Sequence, residues 1–259
     1  MTIASLIDPI PAGNGSVHLT HAQSWMQGRT LYGGASALIA YTAAIRAFAD
    51  LPPLRAGQIG FVAPVGESFA VATTMIRQGR NVTQLRSELL SEGRVALTAF
   101  WLFGAGREPN AIHAASPPED WAGPPEDAEP VMADKGPAFI RENFELRRAQ
   151  DQRGPGAPVV RRWARLTDRN ILDPVSECIL MGDVMPPGAI RAMVRQGPIS
   201  SINWSFNLLE PQPSTADGWW MSENSSTHAD HGYSSERLRL WNSDGRQVLD
   251  GLQCAAIFG

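Results

Sequence analysis

The chain has 259 residues, 43% hydrophobic and 19% charged, with a formal net charge of −4. That length allows a sizeable buried core in one large domain or two ordinary ones, and the mild acidity argues against a nucleic-acid backbone as partner. No apolar run approaches the roughly 18 residues of a membrane span, and Met1 to Pro11 lack the basic-then-apolar order of a signal peptide, so a cytoplasmic protein is expected.

In chain order, the first strong signal is residues 33–48, which open with Gly33-Gly34-Ala35-Ser36 and run through Ile39 and Ile45 to Phe48. The stretch is rich in Ala and apolar nearly all round, which predicts a buried helix rather than a surface one. Extended runs follow at 68–76, 81–90 and 95–103, dense in Val, Thr, Phe and Leu and broken at Gln78-Gly79 and Glu92-Gly93. Residues 105–157 lose alternation and collect prolines and acids, as in Ser116-Pro117-Pro118-Glu119-Asp120, which reads as a linker or a lid. The pairs Arg147-Arg148 and Arg161-Arg162 read as solvated surface. A shorter helix is predicted over 172–181, with Asp173 as N-cap and Pro174 as first helical residue. Strands are predicted at 199–209, 219–227, 233–241 and 247–258, most of their large aromatic residues belonging to the core.

The same order of helix, strands and hairpin thus occurs twice. Residues 87–97, with Glu92-Gly93 at the turn, read like residues 239–249, with Asp244-Gly245 there. The predicted division is an N-terminal repeat over 1–104, the Pro-rich segment over 105–157, and a C-terminal repeat over 158–259. A long buried helix followed by an antiparallel meander is a hot-dog unit. One such unit leaves a sheet edge open. Two of them pairing edge to edge predict an α+β double hot-dog, with a continuous antiparallel sheet around two central helices.

Several chemistries lack their motifs. There is no P-loop, no GxGxxG opening a helix after a strand, no HExxH, and Ser36 lacks the second glycine of a GxSxG elbow. Cys178 and Cys254 form neither a disulfide framework nor a metal spacing, and His228 and His231 read as a surface turn. No metal and no cofactor is implied.

Residues 199–206, Ser234-Ser235-Glu236-Arg237, Asp244-Gly245-Arg246 and Leu252-Gln253 resemble the acyl-CoA thioesterase II type and the wider thioesterase-like double hot-dog superfamily. Gly28, Tyr32-Gly33-Gly34 and Phe61-Val62-Ala63-Pro64 carry the resemblance into the first half. It implies hydrolysis of an acyl thioester such as acyl-CoA by a water rather than a side-chain nucleophile. The residues implied to hold that water are Asp183 after the second helix, Ser201 where the family commonly has Thr, and Gln253 on the last strand. Asn203-Trp204 stands where the type tends to have Asp-His, a departure that bears on substrate range. Fused hot-dog units often assemble further, so a homo-oligomer is open to such a chain.

Taken alone, these residues have plainer readings. Asp183 precedes Met185-Pro186-Pro187-Gly188 and fits a cap or turn. Ser201 is an ordinary strand serine. Gln253 lies among Leu252, Ala255 and Ile257, so if buried it needs partners. Gly33 and Gly34 offer helix N-terminal N–H groups that could polarise a thioester carbonyl, or simply allow close packing. Two other activities fit the same architecture: a non-catalytic acyl-CoA or lipid-binding protein, and an enoyl-CoA hydratase. Hydratases of this architecture pair an Asp with a His a few residues later, and none follows Asp183.

Overall fold

The computed structural model describes residues 2–115, 136–150 and 154–258, with 121, 123, 128, 130 and 131 between them. The motif Ser116-Pro117-Pro118-Glu119-Asp120 and the similar run Pro124-Pro125-Glu126-Asp127 therefore lie outside the described residues. The elements are α1 (Ile3–Ile7), β1 (Gly15–His18), β2 (Met26–Gln27), β3 (Thr30–Leu31), α2 (Gly33–Ala47), β4 (Leu54–Phe61), β5 (Ser68–Gln78), β6 (Val82–Ser91) and β7 (Arg94–Gly104). They continue with α3 (Ala138–Asn143), β8 (Phe144–Arg148), β9 (Val159–Leu166), α4 (Pro174–Met181), β10 (Ile199–Leu208), β11 (Trp220–Asp230), β12 (Tyr233–Trp241) and β13 (Gln247–Ile257).

Eleven strands form one antiparallel sheet in the order β1-β5-β6-β7-β4-β10-β13-β12-β11-β9-β8. The order is a palindrome about the β4–β10 pair, with β1 answering β9 and β8 added as an outer strand. Helices α2 and α4 pack on each other against one face. In α2, every residue from Gly34 to Ala44 is buried, as an apolar circumference requires. The predicted double hot-dog is the observed architecture.

The two hairpins correspond with one adjustment. Glu92 and Gly93 both take left-handed angles (φ 51° and 75°), so two residues turn the first hairpin. The second is longer, because the Asn242 side chain accepts from the Asp244 and Arg246 N–H groups at 3.1 and 2.9 Å and closes a wider loop. Residue equivalence therefore holds from β7 to β13 as the sequence predicts, and slips by one between β6 and β12. With Leu89–Leu97 matched to Leu240–Leu249, the cross-strand pair Leu85–Trp101 falls on Glu236–Gln253. The β4 partner of Trp101 is Gly57, and the β10 partner of Gln253 is Trp204.

Several features depart from the sequence reading, β1 and β9 among them as strands it did not predict. β4, the strand at the centre of the sheet, was not among the predicted strands; its Gly57 and Gly60 weaken the pattern. Gly57 is needed there because a Cβ would stand 2.6 Å from the Phe206 ring and 2.9 Å from Trp101. Arg161 is not a solvated residue: on β9 it grips the buried Glu223 carboxylate through Nε and Nη2 at 2.7 and 2.6 Å. Nor is all of 105–157 without regular structure. It contains α3 and β8, whose Phe139 and Phe144 close an aromatic cluster with Trp25 and Tyr32.

Helix α4 is short and starts as predicted: the Asp173 carboxylate accepts from the Val175 and Ser176 N–H groups at 3.0 and 3.1 Å, with Pro174 following. Replacing this cap by Ala is expected to remove about 1 kcal/mol, a fall in Tm of roughly 2–4 °C for a chain of this size, readable by calorimetry.

Candidate active site

Helix α2 has no cap from its own chain neighbourhood, since Tyr32 at its N-cap position makes no side-chain cap bond. Its open N-terminus meets the far end of α4 from the other repeat. The turn after α4 presents Asp183, whose carboxylate accepts from the Gly34 N–H and, through Oδ1, from the Gln253 amide at 2.8 Å. The fit is close. A Cβ on Gly33 would stand 2.1 Å from Asp183 Oδ2 and 2.9 Å from the Phe61 ring, and one on Gly34 would stand 2.5 Å from the Leu180 carbonyl. The glycine pair thus admits the carboxylate and the α4 backbone to the helix end. The Tyr32 hydroxyl donates to the Leu180 carbonyl at 3.1 Å, tying the two helices together.

Gln253 is buried on β13, and its partner is Asp183. Ser201 lies on β10 opposite Ala255, two residues along β13 from Gln253. A bulge at Ile202 keeps Ser201 on the inner face with the buried Ala255 and turns Ile202 outward. Among the described residues, Ser201 makes no hydrogen bond to Asp183 or Gln253. Asp183 and Gln253 are thus joined directly, with Gly33 and Gly34 against the carboxylate, while Ser201 shares their face of the sheet.

Burial pushes the Asp183 carboxyl up to about 7, against the opposing pull of the Gln253 amide and the Gly34 N–H. A carboxyl near neutrality can take a proton from water and return it. Burial and the neighbouring Asp183 together push Tyr32 well above the usual phenol range. Among the described residues no cluster of three or more His, Cys, Asp or Glu is placed to hold a metal. His228 lies on β11 and His231 in the following turn, both exposed.

Three contributors were given no role by the sequence reading, although Glu236 lay in a family motif. Glu236 on β12 and Asn224 on β11 are buried polar residues that hold the segment after Asp183. Phe61, like Glu236, was visible only as part of a family motif. The parity of Glu236 with Leu238 and Leu240 along an alternating strand was the available signal for an inward-facing acid.

A two-repeat antiparallel sheet around paired helices, with an acid at the end of one helix facing the start of the other, makes this a double hot-dog protein. The family described as acyl-CoA thioesterase matches twice, its N-terminal domain over residues 21–104 and its C-terminal domain over residues 117–257, and the chain belongs to that family. Among solved structures, a hot-dog protein of unknown function from Alicyclobacillus acidocaldarius is similar at TM-score 0.83 and 19% identity, over 95% of this chain and 92% of that one. A putative thioesterase II from Thermobifida fusca gives 0.79 and 20%, over 95% and 93%. A putative thioesterase from Novosphingobium aromaticivorans gives 0.76 and 23%, over 96% and 97%. No curated protein matches by sequence.

The raised carboxyl makes a stability prediction. The folded value of about 7 lies above the unfolded 3.8, so between them the folded state binds more protons and loses stability as pH rises. Asp183→Asn removes that loss. Its Tm relative to the parent is expected to be higher at pH 8 than at pH 4; equal differences at both would contradict the burial argument.

Proposed function

We propose that the chain hydrolyses an acyl-CoA, with Asp183 as general base, Gln253 and Ser201 orienting the attacking water, and the α2 N-terminus facing the thioester carbonyl at Gly33, the Gly34 N–H being taken by Asp183. The observation that carries this reading is the Asp183–Gln253 hydrogen bond at the end of α2, with the carboxyl raised to about 7. Water attacks the carbonyl carbon as its proton passes to Asp183. The positive end of α2 favours the developing oxyanion. The intermediate collapses, the C–S bond breaks, and the proton on Asp183 goes to the departing thiolate, giving a carboxylic acid and free CoA. The amide and the hydroxyl fix the water's orientation at little cost in entropy. Cys178 is wholly buried, and its thiol is pushed well up by burial and by Glu177 and Asp173, which favours a water over a cysteine nucleophile. Among the described residues no helix is long and apolar enough to cross a membrane, and a cytoplasmic pool of acyl-CoA goes with this reading.

Free-thiol release from short, long and aryl acyl-CoAs tests it. Turnover is expected to favour one acyl class, and kcat/KM to rise with pH to a plateau above about 7 as Asp183 ionises. Asp183→Asn is expected to lower kcat by on the order of 10²–10⁴-fold, the usual range for a lost general base. Near-normal turnover in that variant would remove Asp183 from the chemistry. Tight acyl-CoA binding with no thiol release from any ester would make the chain a binding protein.

A further inference from the structure

The inner face of the C-terminal repeat carries a line of buried polar side chains across three adjacent strands: Asn224 on β11, Glu236 on β12 and Gln253 on β13. Gln253 binds Asp183 itself. The other two bind the backbone that follows it. Asn224 Nδ2 donates to the Met185 and Pro186 carbonyls at 2.7 and 3.2 Å. The Glu236 carboxylate accepts from the Gly188 N–H at 2.7 Å and the Ala189 N–H at 3.3 Å, the start of the 3-10 turn Gly188–Arg191. Glu236 is fully buried, and among the described residues no cation pairs with it.

The sister repeat shows what this position requires for folding alone. At the place of Glu236 stands Leu85 and at the place of Gln253 stands Trp101, both fully buried in the same sheet geometry. A buried acid is therefore no demand of the fold, and a carboxylate without a cation is among the most costly groups to desolvate. Departures from an apolar core of this kind concentrate where function needs them.

We propose that Glu236 is a positioning residue for hydrolysis, its buried carboxylate fixing the turn that carries Asp183 by holding the Gly188 and Ala189 N–H groups. The link is short and stiff. Only Val184 to Pro187 separate Asp183 from the clamp, two of them prolines, with Asn224 gripping the carbonyls between. Gly188 has no room to shift, since a Cβ there would stand 2.2 Å from the Pro158 carbonyl and 2.7 Å from the β11 backbone at Ser226. Glu236 and Gln253 are also direct cross-strand neighbours, so one side of the same acid borders the amide that holds Asp183.

This inference rests on the hydrolytic role proposed for Asp183, and the two are separated by assaying Glu236→Gln, Glu236→Leu and Asp183→Asn side by side on the preferred acyl-CoA. The Gln variant leaves one clamp N–H facing an amide NH₂, and the Leu variant copies the sister repeat. Both are expected to fold by circular dichroism, with kcat lowered about 10–100-fold and KM within about 3-fold, as displacement of a base by a fraction of an ångström does. A folded Glu236→Gln variant with kcat within about 2-fold of the parent, beside an inactive Asp183→Asn, would overturn the positioning role alone. Turnover surviving in Asp183→Asn would overturn the hydrolytic reading instead. Should both Glu236 variants fail to fold, Asn224→Ala reads the same clamp: a kcat loss at unchanged KM supports it, and unchanged kcat refutes it.

Discussion

The contact on which the molecule turns is the Asp183 carboxylate at the N-terminus of α2. A helix end leaves N–H groups without partners, and a nearby Ser, Thr, Asp or Asn usually supplies one. Helix α4 follows that rule with Asp173. Helix α2 does not, and takes its acceptor from the other repeat. That contact makes Gly33 necessary, brings the end of α4 so close to the start of α2 that Gly34 must be glycine too, and buries a carboxyl deeply enough to hold it near 7. In the proposed hydrolysis the structural cap and the general base are the same group, so the turn reading and the chemical reading of Asp183 do not compete.

The duplication supplies an internal comparison. Both repeats build the same strand order and bury a helix, yet the N-terminal repeat fills its inner face with Leu85 and Trp101 where the C-terminal one has Glu236 and Gln253. Volume is balanced across strands: Trp101 faces Gly57, whereas Gln253 faces Trp204. The apolar version is the cheaper core, since it has no polar atoms to satisfy. The polar version persists in the repeat whose helix end carries the acid. The arrangement is asymmetric for a physical reason: one repeat supplies the acid and amide, the other the helix terminus that receives them.

Legibility in the sequence followed the strength of local pattern. Residues 33–48 and 172–181 announced helices through composition and, in the second, through Asp173-Pro174. The strands of both meanders announced themselves as runs dense in apolar and β-branched residues, and β7 and β13 matched residue for residue. β4 did not, because its glycines are set by the rings of Phe206 and Trp101 arriving from other strands. β9 was obscured by its arginines, which look solvated until Glu223 on the neighbouring strand is in place. The family resemblance drew attention to Asp183, Ser201 and Gln253; composition and spacing alone left Asp183 and Ser201 with ordinary structural roles and marked Gln253 as an amide that needs partners if buried.

The sequence by itself determined two repeats, their two central helices and the seven strands of their hairpins and neighbours, because these depend on propensity and periodicity within a few residues. Only the tertiary structure decided that Gln253 bonds Asp183, that the Gly34 N–H is spent on that acid, that a bulge at Ile202 holds Ser201 on the inner face, and that Glu236 grips the backbone beyond. Asp183 and Gln253 stand 70 positions apart, and Asp183 and Gly34 stand farther still. Their meeting depends on sheet register and on where one helix ends against another, which no local pattern encodes.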